Sequence, residues 1–337
     1  MRFRAALAAV LLAIPLAAAQ AAEVNLYTTR EPALIRPLLE RFTQQTGTTV
    51  NTVFLQGGLA ERLAAEGARS PADLAMVVDI GNLMELVDKG LAQPVRSAAL
   101  EAAVPANLRD ADGRWFALST RARAIYSSRE RLSEADAAKL TYADLADPRF
   151  RGRVCIRSGQ HPYNTALFAG LLVEHGEAWL RDYLTKLRAN LARRAAGGDR
   201  EVARDIMAGL CDVGVANTYY VGLMLSGAGG ADQKRWGEAI RVTLPADGAA
   251  VNVSGAMVTR HAPNRDEAVK LLEFLTSAEA QAVYAEANYE YPVRPGATLN
   301  PIVAGFGTLR IGAIPLPQVA AQRAAASRIV DEVGFDR

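Results

Sequence analysis

Strand-like and helix-like segments alternate along nearly the whole chain, and this alternation most narrows the folds open to it. Val24 to Tyr27 reads as a short strand and Pro32 to Gln45 as a helix. Leu34, Ile35, Leu38, Leu39 and Phe42 recur at helical spacing, Pro32 suits a first turn that needs no N–H donor, and Gly47 ends the helix. Thr49 to Leu55 is the next strand, and Gly57-Gly58 opens a helix carrying Leu59 and Leu63. Leu74 to Val78 is a buried strand, and Leu83 to Lys89 a helix closed by Gly90. This βαβα order predicts a mostly parallel sheet covered by helices on both faces.

From Trp115 to Ser128 the rhythm gives way to one long extended segment, which predicts a crossover between domains. A second α/β unit follows, with a strand at Gly152 to Ile156 and a helix at Ala166 to Glu174. Helices around Trp179 to Leu187 and Glu201 to Leu210 precede a strand at Asp212 to Ala216. The strand Val251 to Val258, helices at Ala268 to Thr276 and Ala278 to Ala287, and one helix from Pro317 to Val333 complete the pattern. Two such units joined by extended crossovers predict a two-lobed α/β binding-protein fold of type II. Its ligand would lie where strand ends and helix N-termini converge. The expected lobes are 23–121 with about 248–298, and 122–247 with about 299–337.

Arg2 and Arg4, the apolar run Leu7 to Ala19 and the small-x-small site Ala19-Gln20-Ala21 predict a cleaved secretory signal over residues 1–22. The run is too short and alanine-rich for a membrane span, and no cysteine follows it to carry a lipid anchor. The mature chain is therefore expected in the periplasm. Without Arg2 and Arg4 the 38 basic residues fall to 36, equal to the 36 acidic ones. A neutral balance without basic blocks excludes the electrostatic footprint of a nucleic-acid or membrane-surface binder.

Cys155 and Cys211 are the only cysteines. In an oxidising compartment two thiols are expected to pair, with two buried free thiols as the alternative. Each cysteine lies eight residues before a tyrosine, Tyr163 and Tyr219. If the two segments are adjacent parallel strands, both tyrosines reach the same sheet edge.

Asn217-Thr218-Tyr219-Tyr220 places two phenols just past the apolar run Val213 to Ala216. A phenolate is a hard anionic oxygen ligand, suited to a hard trivalent cation. Neighbouring side chains on a strand point to opposite faces, so both can reach one ion only if the strand ends there and turns into a helix. Ring packing at a domain edge is the alternative.

Several segments, taken in order, carry a family resemblance: Leu26-Tyr27-Thr28-Thr29-Arg30, Gly58 to Leu63, Ser70 to Leu74, Arg121-Ala122-Arg123, Ser158 to Asn164, Gly198-Asp199-Arg200, Asn217 to Tyr220 and Glu290 to Val293. With these the mature chain resembles the ferric-ion-binding proteins that serve bacterial iron ABC importers. The resemblance implies Fe(III) as the transported ligand, held by Tyr163, Tyr219 and Tyr220. It also implies a monomer that delivers its iron to an ABC permease and its ATPase. Some members add a His-Tyr pair after the first-strand arginine, where this chain has Glu31 and Pro32. The resemblance then implies a synergistic anion such as carbonate. Arg30 and Arg121 are the candidates to hold it, since guanidinium grips planar oxyanions in a fork. Arg123 competes with Arg121, and Glu31 and His161 are further candidate ligands.

The main alternative is the same fold serving another solute: a phosphorylated small molecule, a polyamine or an oxyanion. No HExxH, P-loop or GxSxG signature is present and neither cysteine has a recognisable catalytic partner, so the expectation is a binding protein and no enzyme.

Overall fold

The computed structural model describes residues 22–337. All of the expected signal segment except Ala22 lies outside the described residues. Nine strands form one curled sheet: β1 (Glu23–Thr28), β2 (Thr49–Phe54), β3 (Leu74–Val77), β4 (Phe116–Ser128), β5 (Val154–Cys155), β6 (Val213–Asn217), β7 (Ile240–Thr243), β8 (Val251–Val258) and β9 (Tyr291–Pro292). The order is β2-β1-β3-β8-β4-β6-β5, with β7 and β9 also paired to β4. Parallel pairing is confined to β1 with β2 and β3, and to β5 with β6. Every antiparallel pair contains β4 or β8. The antiparallel share exceeds what the βαβα pattern implies, because two crossover strands run back through the sheet between the parallel units.

Strand β4 is the longest element of the sheet and is buried from end to end. Its first half pairs with β8 as far as Ala122, opposite Val251, and its second half pairs with β6 from Arg123, opposite Asn217. One hydrophobic core, with Leu26, Phe42, Leu74, Met76, Trp115 and Leu272, collects around the first half. Another, with Ile125, Leu145, Phe168, Leu184, Val213 and Phe335, collects around the second. Tyr142 stitches the crossovers together, donating its hydroxyl to the Arg123 carbonyl at 2.8 Å and accepting the Ala250 N–H at 3.0 Å.

Most helices follow the expected signals. The helix Pro32–Thr46 buries Ile35, Leu38, Leu39 and Phe42 and ends on Gly47 in the left-handed region (φ 75°), which glycine adopts without steric cost. The elements that differ include the following two. The helix expected from Ala166 begins at Pro162, one residue before Tyr163. The single helix expected over 317–333 is two, Leu316–Ala321 and Arg323–Glu332, separated at Gln322. The first of them divides its apolar residues, with Leu316 in the first core and Val319 in the second.

Cys155 and Cys211 form a disulfide with Cα atoms 5.8 Å apart, within the range the bond requires. Cys155 stands on β5 and pairs across to Gly214 of β6, so the bridge fixes the register of the two strands that lead to Tyr163 and Tyr219. Closing a loop of 56 residues is worth about 4 kcal/mol in the chain-entropy account. The Cys155→Ser, Cys211→Ser variant should lose stability of that order in urea unfolding. Thiol titration of the unfolded, unreduced wild type should find none, and two free thiols would contradict the bridge.

Candidate metal centre

Strand β6 ends at Asn217, whose position is fixed on both sides. Its N–H donates to Asp199 Oδ2 at 2.8 Å, and its carbonyl accepts the Tyr126 hydroxyl at 2.6 Å. The chain then enters the helix Thr218–Leu225, which puts Tyr219 and Tyr220 in its first turn. Successive helical residues are turned by about 100° rather than to opposite faces, so the rings lie side by side, centroids 4.2 Å apart and tilted by 32°. Tyr163 occupies the first turn of the helix Pro162–His175, and its hydroxyl lies 3.2 Å from that of Tyr219. Three phenols thus converge at the N-terminal ends of two helices, where the helix dipole favours anions.

The protein resists ionisation of Tyr219 and Tyr220. Burial, followed by the adjoining Tyr163 and Tyr220 phenols, pushes the Tyr219 hydroxyl well above the ordinary tyrosine value. Burial also raises Tyr220, with Tyr163 adding to it. Arg157 opposes the rise of Tyr220. Guanidiniums lie over the rings: Arg157 is 5.1 Å and Arg123 6.0 Å from the Tyr163 centroid, and Arg200 is 5.1 Å from that of Tyr220.

Buried Asp199 organises two of these arginines, accepting from Arg123 Nη1 at 2.7 Å and Arg157 Nη1 at 3.2 Å. Arg123 also donates to Asn164 Oδ1 at 2.6 Å, Asn217 Oδ1 at 3.2 Å and the Val215 carbonyl at 3.1 Å. Its fork is spent on the protein.

Arg121 and Arg30 lie on the other side of the crossover and meet at Ser254, with Nη1–Oγ distances of 3.2 and 3.4 Å. Although two residues apart on β4, Arg121 and Arg123 diverge because the strand changes partner between them, from β8 to β6. Arg30 pairs with Glu290 at 3.0 Å, and Glu290 also accepts from Ser119 Oγ. Arg121 donates to the Val78 and Val253 carbonyls but has no ion-pair partner among the described residues, though it is only 5 % exposed. The Nε atoms of Arg30 and Arg121 are buried without a partner.

His161 caps the Tyr163 helix, its Nδ1 accepting the Tyr163 N–H at 3.2 Å. Burial, reinforced by Arg157, pushes its pKa down to about 4, so at neutral pH the ring is uncharged and its proton sits on Nε2. Its basic nitrogen is spent on the helix end. Glu31 is exposed at the start of the Pro32–Thr46 helix and makes no capping bond. Ser254 and Arg157 were not singled out by sequence reasoning, and Asp199 entered only within the segment Gly198-Asp199-Arg200, with no role assigned to it. The available signals were a serine inside the apolar run of β8 and an aspartate opening a helix.

The sequence pattern of the family described as bacterial extracellular solute-binding protein matches residues 70–306. The chain belongs to this family. Iron uptake protein A1 of a Synechocystis species is 40% identical over 321 residues, covering 93% of this chain and 87% of the relative. Among solved structures, a Bordetella ferric binding protein superposes with a TM-score of 0.90 at 54% identity, over 94% of this chain and all of that one. A Trichodesmium protein in complex with iron and citrate gives a TM-score of 0.87 at 33% identity, over 93% and 99%. These relatives share the two-lobed type II architecture with this solute-binding protein.

The Arg30–Glu290 pair sets a pH dependence. Burial alone would push the Glu290 carboxyl up; the Arg30 and Arg121 guanidiniums and Ser119 outweigh it and hold it below the ordinary carboxylate value. A carboxyl depressed in the folded state stabilises above its unfolded pKa, about 4.3 for glutamate, and that contribution is lost as pH falls through the folded value. Glu290→Gln strands a buried cation and should cost about 3 kcal/mol at neutral pH. In urea unfolding the gap to wild type should narrow below about pH 4; a gap independent of pH would contradict the pairing.

Proposed function

We propose that this protein captures ferric iron in the periplasm, after cleavage of the 1–22 signal, and delivers it to an ABC permease and its ATPase. Fe(III) is held by the phenolates of Tyr163, Tyr219 and Tyr220 in the cleft between the lobes. The observation that carries this reading is the 3.2 Å approach of the Tyr163 and Tyr219 hydroxyls beside Tyr220 at two helix N-termini. Three phenolates offset the charge of a trivalent hard cation and match its preference for oxygen. Relatives named for iron uptake and ferric binding support it, and so does a neighbour that holds iron together with citrate.

An anion such as carbonate completes the coordination, with Arg30 and Arg121 as its partners. Arg121 is the stronger of the two, because a buried cation without a carboxylate of its own is costly until an anion arrives. Arg123 already spends its charge on Asp199. The lobes, 23–121 with about 248–298 and 122–247 with about 299–337, close over the ion as hinge-linked units. That buried unpaired arginine also fits a phosphorylated small molecule as ligand, a reading that colour separates. Ferric phenolate absorbs visible light by charge transfer, and an organic phosphate adds no such band.

Purified protein loaded with Fe(III) should be coloured. Tyr219→Phe and Tyr220→Phe should each lower ferric affinity at least about a hundredfold and bleach or shift the band. The melting temperature of the metal-free protein should stay nearly unchanged. Arg121→Ala should lose less, by an amount that depends on the anion supplied. Full ferric affinity in the Tyr219→Phe, Tyr220→Phe double variant would overturn the assignment.

A further inference from the structure

Tyr163 is presented by a short loop, Arg157–His161, and that loop is gripped by a distant part of the chain. Asp336, just beyond the helix Arg323–Glu332, accepts from Ser158 Oγ at 2.5 Å and from the Gly159 N–H at 2.7 Å, with the Gln160 N–H at 3.4 Å. Within the helix, Ser327 exchanges two bonds with the Gln160 amide, 2.6 Å from its hydroxyl and 2.9 Å to its carbonyl. The grip is also steric. A Cβ at Gly159 would meet Phe335 and Val330 at 2.8 Å, and Phe335 packs edge-on against Phe168 of the Tyr163 helix at 5.7 Å.

The other end of the same helix is fastened elsewhere. Arg323 makes an ion pair with Asp79, at the head of the helix Ile80–Asp88. That helix packs Ile80, Leu83 and Leu86 into the first core, whereas Ile329, Val330 and Phe335 belong to the second. Asp79 is itself held, accepting from the Gly81 N–H and from Asn252 Nδ2, both at 2.7 Å. A helix of ten residues therefore runs from a charged anchor on the first lobe to the loop that carries Tyr163.

We propose that this helix is a tie between the lobes that positions Tyr163, with Arg323 and Asp336 as positioning residues, so that ferric coordination depends on the Arg323–Asp79 contact. The inference rests on Tyr163 being a ligand. Mechanically, a rigid helix bonded at both ends transmits the placement of one lobe to the other. Losing the first-lobe anchor frees the loop to rotate, and the Tyr163 oxygen departs from the position that Tyr219 and Tyr220 require.

The test compares Arg323→Ala, Arg323→Lys, Asp336→Asn and Tyr163→Phe, each loaded with Fe(III) at fixed carbonate. Arg323→Ala and Asp336→Asn should weaken ferric affinity about tenfold and shift the charge-transfer maximum, and Arg323→Lys should recover most of both. Wild-type band and affinity in Arg323→Ala and Asp336→Asn would overturn the tie, even if their melting temperatures fall, because the helix would then be only a brace. Wild-type band and affinity in Tyr163→Phe would overturn the ligand assignment beneath it. A weakened Tyr163→Phe beside unaffected Arg323→Ala and Asp336→Asn would spare that assignment and reject the tie alone.

Discussion

A phenol enclosed by protein keeps its proton, and the tyrosine cluster is built around that fact. Burial and mutual proximity raise the Tyr219 and Tyr220 hydroxyls above their ordinary value, so ionising either of them is unfavourable. The surroundings are prepared for the opposite state. Two helix N-termini and three arginines face the rings, and these favour charge on oxygen. On the proposed reading the cargo ion displaces those protons: a trivalent hard ion does so far better than a soft or monovalent one, which would turn an unfavourable ionisation into selectivity.

That arrangement depends on the crossover strand β4. It changes partner after Ala122, and the arginines on either side of that point make separate contacts, Arg121 with Ser254 and Arg123 with Asp199. Arg123 is consumed in fixing Asn217 at the end of β6, Asn164 in the first turn of the Tyr163 helix, and Asp199 at the start of its own helix. Arg121 makes no ion pair among the described residues and faces Ser254, though it shares the field of Glu290 with Arg30. The proposed division of labour is structural for one and anion-binding for the other. The disulfide adds a second restraint on the same geometry by locking β5 to β6 beneath the two tyrosine loops.

Much of this was legible in the sequence, for physical reasons that differ by feature. The helix Pro32–Thr46 and the strand Val251–Val258 announced themselves through apolar period and terminal glycine or polar residues. The turn of β6 into a helix at Thr218 is the condition under which two neighbouring tyrosines can aim at one place, and the cysteine pairing is what the expected export implies. The start of the Tyr163 helix was missed because Pro162-Tyr163-Asn164 has no apolar period, although proline at a first helical position was a usable signal. Local pattern also gave no sign that β4 would change partner between Arg121 and Arg123, since pairing is decided by strands more than ninety residues away. Asp199 and Glu290 are buried charges whose arginine partners lie 76 and 260 positions distant in sequence, and no window along the chain reveals such pairs.

The most direct measurement is the number of protons released when the metal-free protein takes iron from a ferric chelate at fixed pH and fixed carbonate. Phenols that become ligands must each surrender one proton, so about three should be released per iron beyond the contributions of the chelate and of any bicarbonate that binds as carbonate. The coloured charge-transfer band should grow in proportion. Iron uptake with no excess proton release and no band would contradict the account, since the phenols would then have stayed protonated while the ion was held by other groups.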